Sequence, residues 1–130
     1  MGYTMKVRIP MRKVLLIFMS IVICLSGYII AWAITPEEAL QHIGEKQTVC
    51  GTVASTHFAR SSKGQPTFLN LDKPYPNQIF TIMIWGNKRG SFNEAPEKYY
   101  SGKRICVTGS IKNYRGSPEI VVNNPSQIKE

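Results

Sequence analysis

Residues 48–55 read Thr48-Val49-Cys50-Gly51-Thr52-Val53-Ala54-Ser55, and residues 104–112 read Arg104-Ile105-Cys106-Val107-Thr108-Gly109-Ser110-Ile111-Lys112. Both stretches alternate with a period of two. Val49, Gly51 and Val53 fall on one side of the first, with Thr48, Cys50, Thr52 and Ala54 on the other; Ile105, Val107 and Ile111 form the inner side of the second. Such alternation is the signature of strands with one face on a core. Gly51 and Gly109 take inward positions, where a strand coiling around a small barrel needs a residue without a side chain. Each stretch also places one cysteine on its outward side.

Three more strands are predicted around this pair. Thr67 to Leu71 sets Leu69 and Leu71 against Phe68 and Asn70; Ile79 to Trp85 sets Phe80, Ile82 and Ile84 inward and Thr81, Met83 and Trp85 outward; Pro118 to Val122 follows a tight turn at Tyr114-Arg115-Gly116. Pro74-Tyr75-Pro76-Asn77 marks a turn before the third strand. A helical turn is expected from Pro96 to Tyr100. At the start, Thr35-Pro36-Glu37-Glu38 predicts a capped helix that ends at Gly44 and docks through Ala39, Leu40 and Ile43. Five short strands with a helical insertion between the third and fourth give the element order of a mainly β, five-stranded OB-fold Greek-key barrel. An open meander sandwich is the alternative arrangement.

The first thirty-three residues have a different character. Lys6, Arg8, Arg12 and Lys13 precede an apolar run that begins at Val14 and closes on Ala31-Trp32-Ala33. A positive head, an apolar stretch and a small-x-small end are expected of a secretory signal peptide. The run from Val14 to Ala33 is also long enough for an uncleaved membrane anchor, and either reading exports residues 34–130 as the folded domain.

Residues 34–130 hold twelve Lys and Arg against eight acids, a net charge of +4, and two of the three cysteines. That charge suits a polyanion partner and ordinary solubility equally. Two cysteines in an exported domain read first as a disulfide, and the first and fourth strands of a closed barrel are neighbours, so Cys50 and Cys106 are expected to pair. A redox pair or metal site is the alternative, with no C-x-x-C and only His42 and His57 as further ligands. No cofactor or metal is expected.

The outward side of the second and third strands carries Phe68, Asn70, Met83 and Trp85, and the loops beside it carry His57, Phe58, Arg60 and Lys63, then Asn113, Tyr114 and Arg115. Lys88 and Arg89 extend the basic rim. Aromatic rings supply stacking surface and the cations offset a charged backbone, a combination suited to single-stranded nucleic acid. The candidate binding residues are therefore Phe58, Arg60, Lys63, Phe68, Asn70, Trp85, Lys88, Arg89, Tyr114 and Arg115. The opposing structural reading covers Phe68 and Trp85 with the N-terminal helix or the 86–103 segment.

Thr48-Val49-Cys50-Gly51, Thr67-Phe68-Leu69-Asn70-Leu71, Lys73-Pro74-Tyr75-Pro76-Asn77, Ile84-Trp85-Gly86, Ile105-Cys106-Val107-Thr108-Gly109 and Tyr114-Arg115-Gly116-Ser117-Pro118-Glu119-Ile120 carry a further signal. Through them residues 34–128 resemble a small bacterial OB-fold family of nucleic-acid-binding proteins, found as short exported chains and as modules beside extracytoplasmic nucleases. The resemblance implies a barrel that binds single-stranded DNA or RNA with little sequence preference. A second expectation is an envelope protein-interaction or assembly module using the Phe68, Met83 and Trp85 face, with membrane contact only through an uncleaved N-terminal segment. Catalysis is not expected: Asp72 is the one aspartate, and Glu37, Glu38 and Glu45 sit in or beside the first helix, leaving no acidic cluster for a metal-dependent nuclease.

Overall fold

The structure, a computed structural model, describes residues 2–4, 10 and 32–130. Most of the signal peptide or anchor expected over residues 1–33 therefore lies outside the described residues. Among those described, no helix is long and apolar enough to cross a membrane. Residues 32–130 form a compact unit of their own.

This unit is mainly β. Its strands are β1 (Lys46–Phe58), β2 (Thr67–Leu71), β3 (Phe80–Ile84), β4 (Arg104–Tyr114), β5 (Ser117–Val121) and β6 (Ile128–Lys129), with α1 (Pro96–Tyr99) between β3 and β4. The pairing order is β1-β2-β3-β5-β4-β6, and a further β1–β4 ladder joins the ends of the first five strands into a partly closed ring. β3 and β5 are parallel, whereas β1 runs antiparallel to both of its partners. β1 serves two ladders in succession. Residues 46–52 pair with β4, and from Val53 to Phe58 the strand pairs with β2 across an irregularity between Val53 and Ser55.

The two inward glycines meet the close approaches expected of them. A Cβ on Gly51 would stand 2.8 Å from Asp72 Oδ1 and 3.0 Å from Pro36 Cγ; one on Gly109 would stand 2.7 Å from Ile120 Cγ2. The inward positions are filled as expected, with Val49, Val53, Leu69, Leu71, Phe80, Ile82, Ile84, Ile105, Val107 and Ile111 all buried, but β3 is buried on both faces, Thr81 and Met83 included. Removing each such side chain from water contributes roughly 1.5–3 kcal/mol, which drives the ring shut.

Cys50 and Cys106 are direct register partners and form a disulfide. Two residues along the same row, the Thr48 and Thr108 hydroxyls share a hydrogen bond of 2.8 Å.

The first helix differs from its prediction. Pro36–His42 is a 3₁₀ helix, and Thr35 makes no side-chain cap; its hydroxyl donates to Glu38 Oε1 instead. Three residues per turn align Pro36 and Ala39, which are buried, and leave Leu40 and Ile43 exposed, so the expected Ala39, Leu40, Ile43 face is corrected. Three elements escaped the sequence reading. One 3₁₀ helix spans Gly86–Ser91, a second spans Pro125–Gln127 under an Asn124 capping box, and β6 lies on β4. The first strand also runs through His57 and Phe58, which were expected in a loop.

Candidate nucleic-acid interface

The pleat places His57, Phe68 and Met83 in one cross-strand row, with Ser55, Asn70, Thr81 and Glu119 in the next, all on the outer face. Above them lies a groove of about 690 Å³, lined among others by His57, Phe68, Tyr75, Tyr114, Arg115 and Glu119. Its far wall is the β4–β5 hairpin. Tyr114 pairs with Ser117 across a two-residue turn in which Arg115 (φ 50°) and Gly116 (φ 88°) are both left-handed, and Asn113 Oδ1 accepts from the Gly116 amide. Positive φ at both central positions is what a type I′ turn demands. The turn projects Tyr114, more than half exposed, beside Arg115, whose guanidinium carbon is 5.4 Å from the Tyr114 ring centre.

The opposite wall is held by hydrogen bonds. Ser55 Oγ accepts from Asn70 Nδ2 and from the Tyr75 amide, both at 3.0 Å, while Asn70 Oδ1 accepts from Thr81 Oγ1 at 3.1 Å. This chain fixes the Tyr75 turn against the sheet and presents the Tyr75 ring, 73% exposed, at the groove.

On the floor, Glu119 is 8% exposed and stands in register with Lys112 on β4 and Thr81 on β3. Burial pushes its carboxyl above the ordinary value, and the Lys112 charge opposes that rise. Nearby, Gln78 Oε1 is buried and accepts no hydrogen bond among the described residues.

Of the ten predicted binding residues, the groove collects Phe68, Asn70, Tyr114 and Arg115. Asn70 has a positioning role there, since both ends of its amide are engaged within the sheet. Phe58 belongs elsewhere: it is the register partner of Thr67 and so points to the face opposite Phe68. Arg89 lies against it, its guanidinium carbon 3.7 Å from the Phe58 ring centre, and donates twice to Glu97 at 2.6 and 3.2 Å. That hydrogen-bonded guanidinium holds the Glu97 carboxyl below its ordinary value. Arg89 is thus a packing residue with its charge matched, not part of the rim. Arg60 stands 5.4 Å from the same Phe58 ring, and Lys63 is exposed in the β1–β2 loop outside the groove.

Trp85 and Lys88 line a separate shallow cleft with Gly64, Gln65, Gly86 and Asn87. The strand ends at Ile84, and the 3₁₀ helix that follows carries Trp85 off the sheet onto Gly64, where a Cβ would stand 2.8 Å from Trp85 Cζ3. Met83 is buried. Phe68, Met83 and Trp85 therefore do not form the single exposed apolar face that was expected.

The sequence reading missed Tyr75, Gln78 and Glu119 as groove residues. Tyr75 was visible as an aromatic between two prolines in a turn, and Glu119 as an acid on the outward side of a strand. Among the described residues no group of three or more His, Cys, Asp or Glu side chains is placed to hold a metal ion.

No family model matches the chain, and no curated protein matches it in sequence. Among solved structures, it is similar to a protein assigned as an aspartyl-tRNA synthetase from Leishmania major Friedlin, with a TM-score of 0.46 and 12% identity. That match covers 88% of this chain and 25% of the other, so the chain spans about a quarter of that structure's length.

Proposed function

We infer that the partly closed ring is an OB-type barrel and that its outer-face groove binds single-stranded nucleic acid, as a binding module rather than a catalyst. The observation that carries this reading is the groove's composition. Phe68, Tyr75 and Tyr114 offer three aromatic surfaces around one trough with Arg115 at its edge. Bases stack on aromatic rings regardless of identity, at roughly 1–3 kcal/mol each, so most of the contact is tolerant of sequence. Arg115 neutralises a phosphate at the trough's edge, and the exposed Arg60 and Lys63 belong to the β1–β2 loop whose Ala59 and Ser62 line the groove, so they meet phosphates where the strand leaves it. The module works outside the cytoplasm. Its leader-like N-terminus supports export, and the Cys50–Cys106 disulfide fits an oxidising compartment.

The test is a titration of the full chain, purified in mild detergent, with a labelled mixed-sequence single strand of about twenty nucleotides, followed by anisotropy at several salt concentrations. Contact with three phosphates predicts a log–log salt slope of about −2. Absence of binding at low salt would reject the nucleic-acid reading and leave an envelope protein as the partner to seek.

A further inference from the structure

An anion-binding groove with an acid in its floor requires an explanation. Glu119 is more than nine-tenths buried as a residue and lines the groove; no side-chain hydrogen bond engages its carboxylate among the described residues, and its oxygens remain open to the groove. Its neighbours on the outer face are otherwise matched to one another: Asn70 with Ser55, and Thr81 with Asn70. Placing a carboxylate at so covered a position is unfavourable, with Lys112 across the β4 ladder as its charged neighbour, and a sheet position facing outward accepts many uncharged residues in its place. Gln78 adds a second unmatched acceptor to the same groove. The floor is therefore short of donors.

Building on the nucleic-acid reading, the geometry points to Glu119 as the residue that selects guanine at one position of the bound strand, by accepting hydrogen bonds from the base's Watson–Crick edge. An ionised carboxylate is acceptor-only, with two oxygens side by side. Guanine alone among the ordinary bases presents two adjacent donors, N1–H and the 2-amino group. Adenine and cytosine set one amino group beside a ring-nitrogen acceptor. Thymine and uracil flank one N–H with two carbonyl oxygens, which the carboxylate repels. Single-stranded bases are read on this edge because it is free of a pairing partner. The arrangement also separates charges sensibly: the base edge meets Glu119 on the floor, while the phosphates pass the Arg115 rim.

The probes are an oligothymidylate of about a dozen nucleotides, the same strand with one central deoxyguanosine, and the same strand with deoxyinosine there, which keeps N1–H and lacks the 2-amino group. For the full chain, the single guanine is expected to raise affinity about tenfold or more, and inosine to give up part of that gain. Glu119→Gln is expected to bring the guanine-to-thymine affinity ratio close to one. A ratio near one in the unaltered protein would overturn the inference while leaving the nucleic-acid reading standing. So would equal binding of guanine and inosine, a comparison that needs no variant to fold. Failure of every strand to bind would overturn both.

Discussion

The Arg89 guanidinium lies 3.7 Å from the centre of the Phe58 ring, on the opposite side of the sheet from Phe68, with Glu97 clasping its nitrogens. One cation thereby ties the segment after β3 to the end of β1 and to α1. Arg89→Ala leaves Glu97 mostly buried and unpaired, and is expected to lower unfolding free energy by roughly 1–3 kcal/mol in urea titrations. Oligonucleotide affinity should not change. A loss of affinity with stability intact would return Arg89 to the binding rim.

The same pair predicts an acid limb of stability. Arg89 holds the folded-state carboxyl of Glu97 below its ordinary value, so the pair's contribution is present above that ordinary value. It is lost as pH falls through the lowered one. Glu97→Gln should flatten the acid side of a plot of melting temperature against pH and leave the neutral region lower than in the unaltered chain.

Tyr114 and Trp85 test where the ligand lies. Tyr114→Ala removes an exposed ring at the groove and is expected to weaken oligonucleotide binding by about 1–3 kcal/mol, with melting temperature nearly unchanged. Trp85→Ala touches the other cleft and should leave affinity within about twofold, less than 1 kcal/mol on the affinity scale. Anisotropy titrations of both variants decide it; the reverse pattern would move the interface to the Trp85 cleft.

The strands were legible because their signal is local. Val49 to Val53 and Ile105 to Ile111 alternate plainly, and Gly51 and Gly109 among them mark where the ring must tighten. The binding face was legible only by parity, which gives Phe68 and Tyr114 their side of the sheet but says nothing about pairing across distance. Phe58 was misplaced because the first strand runs to residue 58 and its register, set by β2, turns the ring away. Arg89 could not be distinguished from Arg115 by residue type alone. The difference is a carboxylate eight residues away that reaches one and not the other. The first helix failed on its period: at seven residues, a 3₁₀ or an α winding buries different side chains from the same sequence.

The disulfide predicts a non-additive mutant cycle. Fifty-six residues separate Cys50 from Cys106, and closing a loop of that length stabilises by about 4 kcal/mol on the chain-entropy account. Cys50→Ser, Cys106→Ser and the double variant should therefore lose the same amount, measured by denaturant unfolding under non-reducing conditions. Losses that add would show that the two sulfurs act separately.

Glu119 behaves oppositely to Glu97. Burial raises its folded-state carboxyl above the unfolded value, so ionising it works against folding; the penalty appears as pH rises from the ordinary carboxylate value through the raised one and is complete above it. Lys112 faces it from β4 and offsets part of the effect, Thr81 on β3 brings no charge, and Arg115 and His57 stand elsewhere around the groove. Glu119→Gln is accordingly expected to raise stability at neutral pH by about 0.5–1 kcal/mol, with the gain shrinking toward acid pH. Thermal melts of both proteins across that range would show the difference. A residue whose removal strengthens the fold while erasing a base preference is one the groove keeps for its ligand. A variant that is less stable at every pH would instead make Glu119 a structural partner of Lys112.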